Sequence, residues 1–145
     1  MDEPEANWRW ISPMALGGDG LRWHLRAYNH DAGRHEDLLF PRMVEIEGER
    51  PAGTVPADAD WERIIAVRLR PAERLSPGQR AVLEADYGMR DGETLIEVRA
   101  ALLFLFVQRM RLDQEGGLIE LVNRAEVQAE LRRLDGRFRN QSAAV

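Results

Sequence analysis

No cysteine occurs among the 145 residues of this chain. Disulfides and thiolate zinc sites are thereby excluded, and a reducing, cytoplasmic setting fits the composition. Positive charge is also in deficit, since twenty basic against twenty-five acidic residues give a formal charge of −5 and a pI near 5.3. A protein whose whole surface embraces duplex DNA is not built this way, so any anion site must be a local concentration of arginine. Long apolar runs are missing too. The longest, Ala100 to Val107, falls far short of the roughly 20 residues a membrane span needs and reads as a buried core element. The acidic start MDEPEANWRW lacks the apolar stretch of a signal peptide. Enzyme signatures are absent as well: there is no GxSxG elbow, P-loop, GxGxxG, HExxH or Cys-His pair, and no pairing of acids that fixes a general acid and base. What remains is ordinary globular composition, 44% hydrophobic and 31% charged, long enough for one medium domain or two small ones.

The most informative stretch is Asp19 to His30, DGLRWHLRAYNH. Its alternation puts Leu21, Trp23, Leu25 and Ala27 on one side of a strand and Arg22, His24, Arg26, Tyr28 and His30 on the other. Neighbours on one face lie roughly 7 Å apart, so His24 and Arg26 can reach the same small group. The row from His24 to His30 spans about 20 Å, too long for every member to meet one compact metabolite. Arginine offers a planar fork of donors for phosphate or carboxylate, and a tyrosine or histidine ring stacks on a base. Phosphorylated or nucleotide-like ligands fit that mixture best.

Composition changes at Gly48 to Asp60, GERPAGTVPADAD, where two prolines and two glycines interrupt the apolar pattern and predict a linker. Before it lie strand signals at Trp8 to Ser12, Leu21 to Tyr28 and Asp37 to Ile46, the last two joined as a hairpin through Asn29 to Arg34. After it, Ile65, Val67 and Leu69 mark a strand that ends at Pro71. Ser76, Pro77 and Gln79 form a capping-box helix entrance, with the helix reaching about Tyr87 and stopping at Gly88. Thr94 to Val98 alternates again. The AALLFLFVQRM segment from Ala100 predicts a helix apolar on nearly every side, with Phe104, Leu105 and Phe106 in the core. Leu118 to Val122 reads as a strand, and Asn123 with Glu126 caps a final helix. The order β-α-β-α-β-α argues for a small α/β layer. The tail RFRNQSAAV has no reason to be ordered alone.

Plainer readings stand beside the functional one. Arg22 reads as a solvated surface arginine, whereas Arg26 and Arg42 read equally as partners in structural ion pairs or as members of a site. Tyr28 fits a half-buried amphipathic side chain, and Trp23 fits the core. His24, His30 and His35 have no HxxxH spacing, carboxylate partner or cysteine beside them, so no metal site is expected. No cofactor or catalytic residue is expected either. A hydrolase assembled from Ser12, His24 and a distant aspartate remains the alternative from the enzyme class.

The motifs WISPMAL (10 to 16), DGLRWHLRAY (19 to 28) and LLFPRM (38 to 43) resemble the WYL-domain bacterial transcriptional regulators. The family's Trp-Tyr-Leu triplet stands here as Trp23, His24 and Leu25, and RWHLRAY is similar to the branch that represses phage-defence operons of CBASS and BREX type. PAERLSPGQRAVLEADYGM (71 to 89) and LIELVNR (118 to 124) look like the C-terminal extension, WCX, that often follows WYL. The resemblance implies a mixed α+β chain: a partial Sm-like, SH3-type β-barrel over 5–50, a linker over 51–60, a small βαβαβα dimerisation domain over 61–135 and a flexible tail over 136–145. It further implies a ligand pocket carried by Ser12, His24, Arg26, Tyr28, His30 and Arg42, taking single-stranded nucleic acid or a nucleotide-like signal. The implied molecule is a cytoplasmic homodimer that meets operator DNA only through an N-terminal winged helix-turn-helix and has no membrane partner. That head, and the first strand of the barrel, are expected to lie outside this sequence. Met14 and Gly17 with Gly18 depart from the histidine and apolar residues usual in that loop of the family. An alternative is an Sm-like module whose end function is to grip single-stranded nucleic acid.

Overall fold

The computed structural model describes residues 7–18 and 20–142, with residues 136–142 as helical backbone only. The chain divides between Asp58 and Ala59 into two compact units. Residues 5 and 6 of the expected first domain, Asp19 of the polar row, and 143–145 of the expected tail lie outside the described residues.

The first unit is an antiparallel sheet of β1 (Ile11–Gly18), β2 (Trp23–Asn29) and β3 (Arg34–Leu39), in that spatial order. The β2–β3 hairpin forms where the sequence predicts it. Asn29 is a buried strand end whose Oδ1 accepts from the backbone N–H groups of Asp31 and Ala32, both at 3.0 Å, and Gly33 supplies the positive φ that closes the turn. The other boundaries move. β1 begins at Ile11, not Trp8, and runs through Pro13 because the register shifts between Pro13 and Ala15; a bulge is where a strand tolerates a residue without an N–H. β3 ends at Leu39, well before Ile46, because Pro41 turns the chain into a single 3-10 turn, Phe40–Arg42. Leu38, Phe40 and Arg42 therefore do not share a strand face. The Sm-like barrel is not seen closed among the described residues: three strands form an open sheet with β1 and β3 at its edges. Trp23 is another correction, since it is 61% exposed at the start of β2 with its ring against Gly18.

The second unit opens with a short α1 (Ala59–Glu62) and continues β4 (Ile64–Pro71), α2 (Pro77–Asp86), β5 (Thr94–Arg99), α3 (Leu103–Arg109), β6 (Ile119–Leu121) and α4 (Arg124–Ser142). The β-α-β-α-β-α order is as read from the sequence, but β4 lies between β5 and β6 and pairs antiparallel with both. Alternation along β4 sends Ile65, Val67 and Leu69 inward, where they meet Val98, Leu103, Val107, Leu121 and Val127. On α3 the buried pair is Leu103 and Val107, one turn apart. Phe104, expected in the core, is 57% exposed. Helical backbone continues to Ser142, past the point where the tail was expected to begin.

The helix entrance at Ser76 is a complete capping box: Ser76 Oγ accepts from the Gln79 N–H at 3.3 Å and Gln79 Oε1 accepts from the Ser76 N–H at 3.0 Å. Ser76→Ala should therefore cost about 1 kcal/mol in chemical denaturation, and an unchanged midpoint would show the cap to be idle. Asn123 behaves differently from a simple cap. Its Oδ1 accepts from the Arg68 N–H at 3.0 Å while its Nδ2 donates to Ala66 O at 2.9 Å and to Glu126 Oε2 at 3.0 Å. A short carboxamide just past β6 thus extends the ladder with β4 and ties the start of α4 to the sheet.

Candidate functional site

The polar row on β2 becomes a face only through the register of its neighbours. Directly paired residues share a face of an antiparallel sheet, and the register sets Ser12 and His35 either side of Tyr28, Asp37 beside Arg26, and Leu39 beside His24. The row is split into two groups with different chemistry.

At one end stands an aromatic cluster. Ser12 Oγ and His30 Nε2 are 2.8 Å apart. The Tyr28 ring meets His30 edge-on and His35 at a tilt, with ring centroids 5.0 Å apart in both pairs. His35 Nε2 is buried and makes no hydrogen bond among the described residues. Four polar side chains, from β1, β2, β3 and the turn just past β2, are gathered here, two imidazoles and a phenol among them, able to stack on a ring and exchange hydrogen bonds with it.

At the other end stands a buried charge cluster. Arg26 is only 4% exposed. Its Nε donates to Asp58 Oδ2 at 2.6 Å and its Nη2 to Asp58 Oδ1 at 3.0 Å, a two-pronged pair, while Nη1 donates to Asp37 Oδ2 at 2.9 Å. Burial by itself would lower the Arg26 pKa, but the hydrogen bond to Asp58 and the charges of Asp37 and Asp58 outweigh it and hold it above its ordinary value. Asp37 is pushed the opposite way from a usual ion-paired acid. Burial raises its pKa, and Arg26 and His24 offset this only in part. Its Oδ1 is buried with no hydrogen-bond partner among the described residues.

The raised Asp37 pKa has a definite sign for stability. Between the ordinary aspartate value and the raised one, the native state keeps a proton that the unfolded chain has lost, so this contribution is present at low pH and is lost as pH rises through the raised pKa. The first unit should lose stability across that window, and Asp37→Asn should flatten the slope. Urea midpoints of both proteins across weakly acidic pH measure it; parallel profiles would overturn the assignment.

Residues 64–127, from the start of β4 into α4, match the family model described as the BrxR transcriptional regulator, C-terminal dimerization domain. The "DNA-binding transcriptional repressor CapW" of Stenotrophomonas maltophilia is 38% identical over 115 residues, covering 78% of this chain and 38% of the relative. The repressor of the same name from Escherichia coli (strain KTE188) is 32% identical over 140 residues, covering 91% of this chain and 47% of the relative. That from Pseudomonas aeruginosa is 34% identical over 117 residues, with 79% and 39% covered. These similarities support placing the chain with the WYL-type regulators. It spans less than half the length of these relatives.

The six residues singled out from the sequence fall into three places. Ser12, Tyr28 and His30 come together. His24 and Arg26 are buried farther along β2. Arg42 is exposed at the end of the 3-10 turn, and no hydrogen bond or ion pair among the described residues joins it to either group. Two members of the site were missed. The sequence offers His35 only as a metal ligand, and its place beside Tyr28 follows from the hairpin register. Asp58 lies in what the sequence presents as a linker, 32 positions from Arg26, and no local signal marks it. Among the described residues no group of His, Asp or Glu is arranged to hold a metal ion, and no helix is long and apolar enough to cross a membrane.

Proposed function

We propose that this chain is the ligand-sensing and dimerisation region of a transcriptional repressor, one that controls a phage-defence operon. The observation that carries the reading is the pairing of two features in one chain: a region similar to a dimerization domain at 64–127, and, before it, a sheet whose central strand carries His24, Arg26 and Tyr28 on one face, with His30 just past its end. The first unit corresponds to the Sm-like WYL module of residues 5–50, with the extension domain from about 61 to 135. Among the described residues no carboxylate hydrogen-bonds to the His30 ring that meets Ser12, and the stacked rings of the cluster favour a binding role.

The ligand is a single-stranded nucleic acid or a nucleotide-like molecule. Its base stacks against Tyr28 and the imidazoles of His30 and His35, and Ser12 supplies a hydroxyl at the rim. Arg26, Arg42 and His24 deal with the phosphate end. Ligand binding favours one arrangement of the dimer over another, and that population shift changes how DNA-binding heads elsewhere in the repressor are spaced on their operator. Contact with operator DNA belongs to those heads and not to this chain.

Calorimetric titration of the full chain with short single-stranded oligonucleotides and with cyclic nucleotides, each at two salt concentrations, tests the reading. Binding of one class is expected, weakened by Tyr28→Ala, and with a shallower salt dependence in Arg42→Ala because one phosphate contact is lost. Absence of binding by both classes, or unchanged binding by both variants, would refute the pocket. Sedimentation of the same samples reads the dimer.

A further inference from the structure

The two oxygens of Asp58 sit on Arg26 in the fork geometry that a phosphate would adopt. Asp58 is itself 4% exposed and is the last residue of the first unit, with Ala59 opening the second. We infer that Asp58 is a built-in stand-in for the anionic group of the ligand, and that a phosphate-bearing ligand competes with it for Arg26 and frees the 43–58 strap when it wins. The inference rests on the anion-binding role proposed for Arg26.

Three features of the strap support it. Residues 43–58 contain no helix or strand, and Val44 and Ile46 are almost fully exposed, so apolar burial does little to hold the segment down. Met43 and Val55 are half-buried, and among the described residues two polar side chains tie the strap down: Arg50, whose guanidinium carbon lies 4.0 Å from the centre of the Trp10 ring, and Asp58. The Arg50 tie is a surface cation–π contact, worth little by itself. Asp58 is therefore the principal anchor.

The way the two carboxylates are held also favours exchange at Asp58. Arg26 faces both Asp37 and Asp58. Asp37 is fixed in β3, whereas Asp58 is carried by irregular chain. An incoming phosphate offers the same two-pronged acceptor, and the carboxylate it displaces gains hydration as it leaves. Because Asp58 is joined directly to Ala59, its release slackens the covalent connection to the unit similar to dimerization domains. Sensing is thus coupled to the joint without a contact between ligand and second unit.

The absence of cysteine makes the test direct. A spin label on Ala57→Cys, an exposed position beside Asp58, reports strap mobility in the full chain by electron paramagnetic resonance. The probes are inorganic phosphate and a short 5′-phosphorylated single-stranded DNA. The label should be restricted in the unliganded chain and become mobile in Asp58→Asn. It should also become mobile in the chain with Asp58 intact when either probe saturates it, a measurement that does not depend on the variant folding. If the latched state holds about 90% of molecules, Asp58→Asn should bind the probes about tenfold more tightly. A label that stays restricted while phosphate binds would overturn the inference and leave the sensing role intact. A label freed by Asp58→Asn, with neither probe binding that variant, would overturn the anion-binding role of Arg26 and the competition with it. Mobility driven by the DNA and not by inorganic phosphate would assign the competition to a nucleotide-borne phosphate.

Discussion

Replacing Arg26 by methionine should destabilise the first unit by about 3 to 5 kcal/mol, the cost of stranding buried charge without its partner. Arg26 and Asp58 are each 4% exposed, so neither Asp58 nor the adjacent Asp37 recovers full hydration when the guanidinium is deleted. The apolar stem of methionine fills much of the vacated space, which isolates the electrostatic loss from a packing loss. Changing Arg26 to methionine and Asp58 to valine together should recover a large part of the deficit, because replacing both members of a buried pair by apolar groups of similar volume is often neutral. Urea denaturation of the single and double variants measures both effects. A cost below about 1 kcal/mol for the single variant would mean that the pair behaves as a solvated surface bridge.

In the second unit, Leu103→Ala should cost about 2 to 5 kcal/mol. Leu103 is completely buried at the start of α3, in one core cluster with Val67, Leu69 and Val107. The adjacent Phe104→Ser provides the contrast. Sequence pattern alone places both residues in the core, yet Phe104 is more than half exposed, so its replacement should change stability by less than about 1 kcal/mol. Thermal unfolding of the two variants settles which face of α3 looks inward; comparable losses would contradict the packing described. Since residues 64–127 resemble a dimerization domain, Leu103→Ala should also weaken self-association in sedimentation, as a consequence of the loosened core.

These expectations show where local signals suffice and where they stop. The Ser76 capping box, the Gly88 stop, the alternation along β4 and the Asn29-to-Gly33 turn depend on residues within about four positions of one another, and each is formed as read. The apolar run from Ala100 was harder. When nearly every residue is apolar, periodicity does not say which side faces the core, and the answer came from where β4 and α4 stand. Trp23 is exposed for a related reason. Strand parity puts it with Leu25 and Ala27, but at the mouth of an open sheet that side ends before Trp23 is covered.

The residues of the polar row were legible one by one; their partners were not. Alternation within Trp23 to His30 dictates that His24, Arg26, Tyr28 and His30 share a side, whatever surrounds them. Whether that side takes a ligand or an ion pair depends on elements distant in sequence: β1 bringing Ser12, β3 bringing His35 and Asp37, and irregular chain bringing Asp58. By itself, then, the sequence determined the elements, their order and one strand with a cationic, aromatic face, because backbone periodicity and capping act over a few residues. Only the tertiary structure decided that this face is divided into an aromatic cluster and a latched arginine, because strand register and a carboxylate 32 positions away are products of chain closure, which no local pattern encodes.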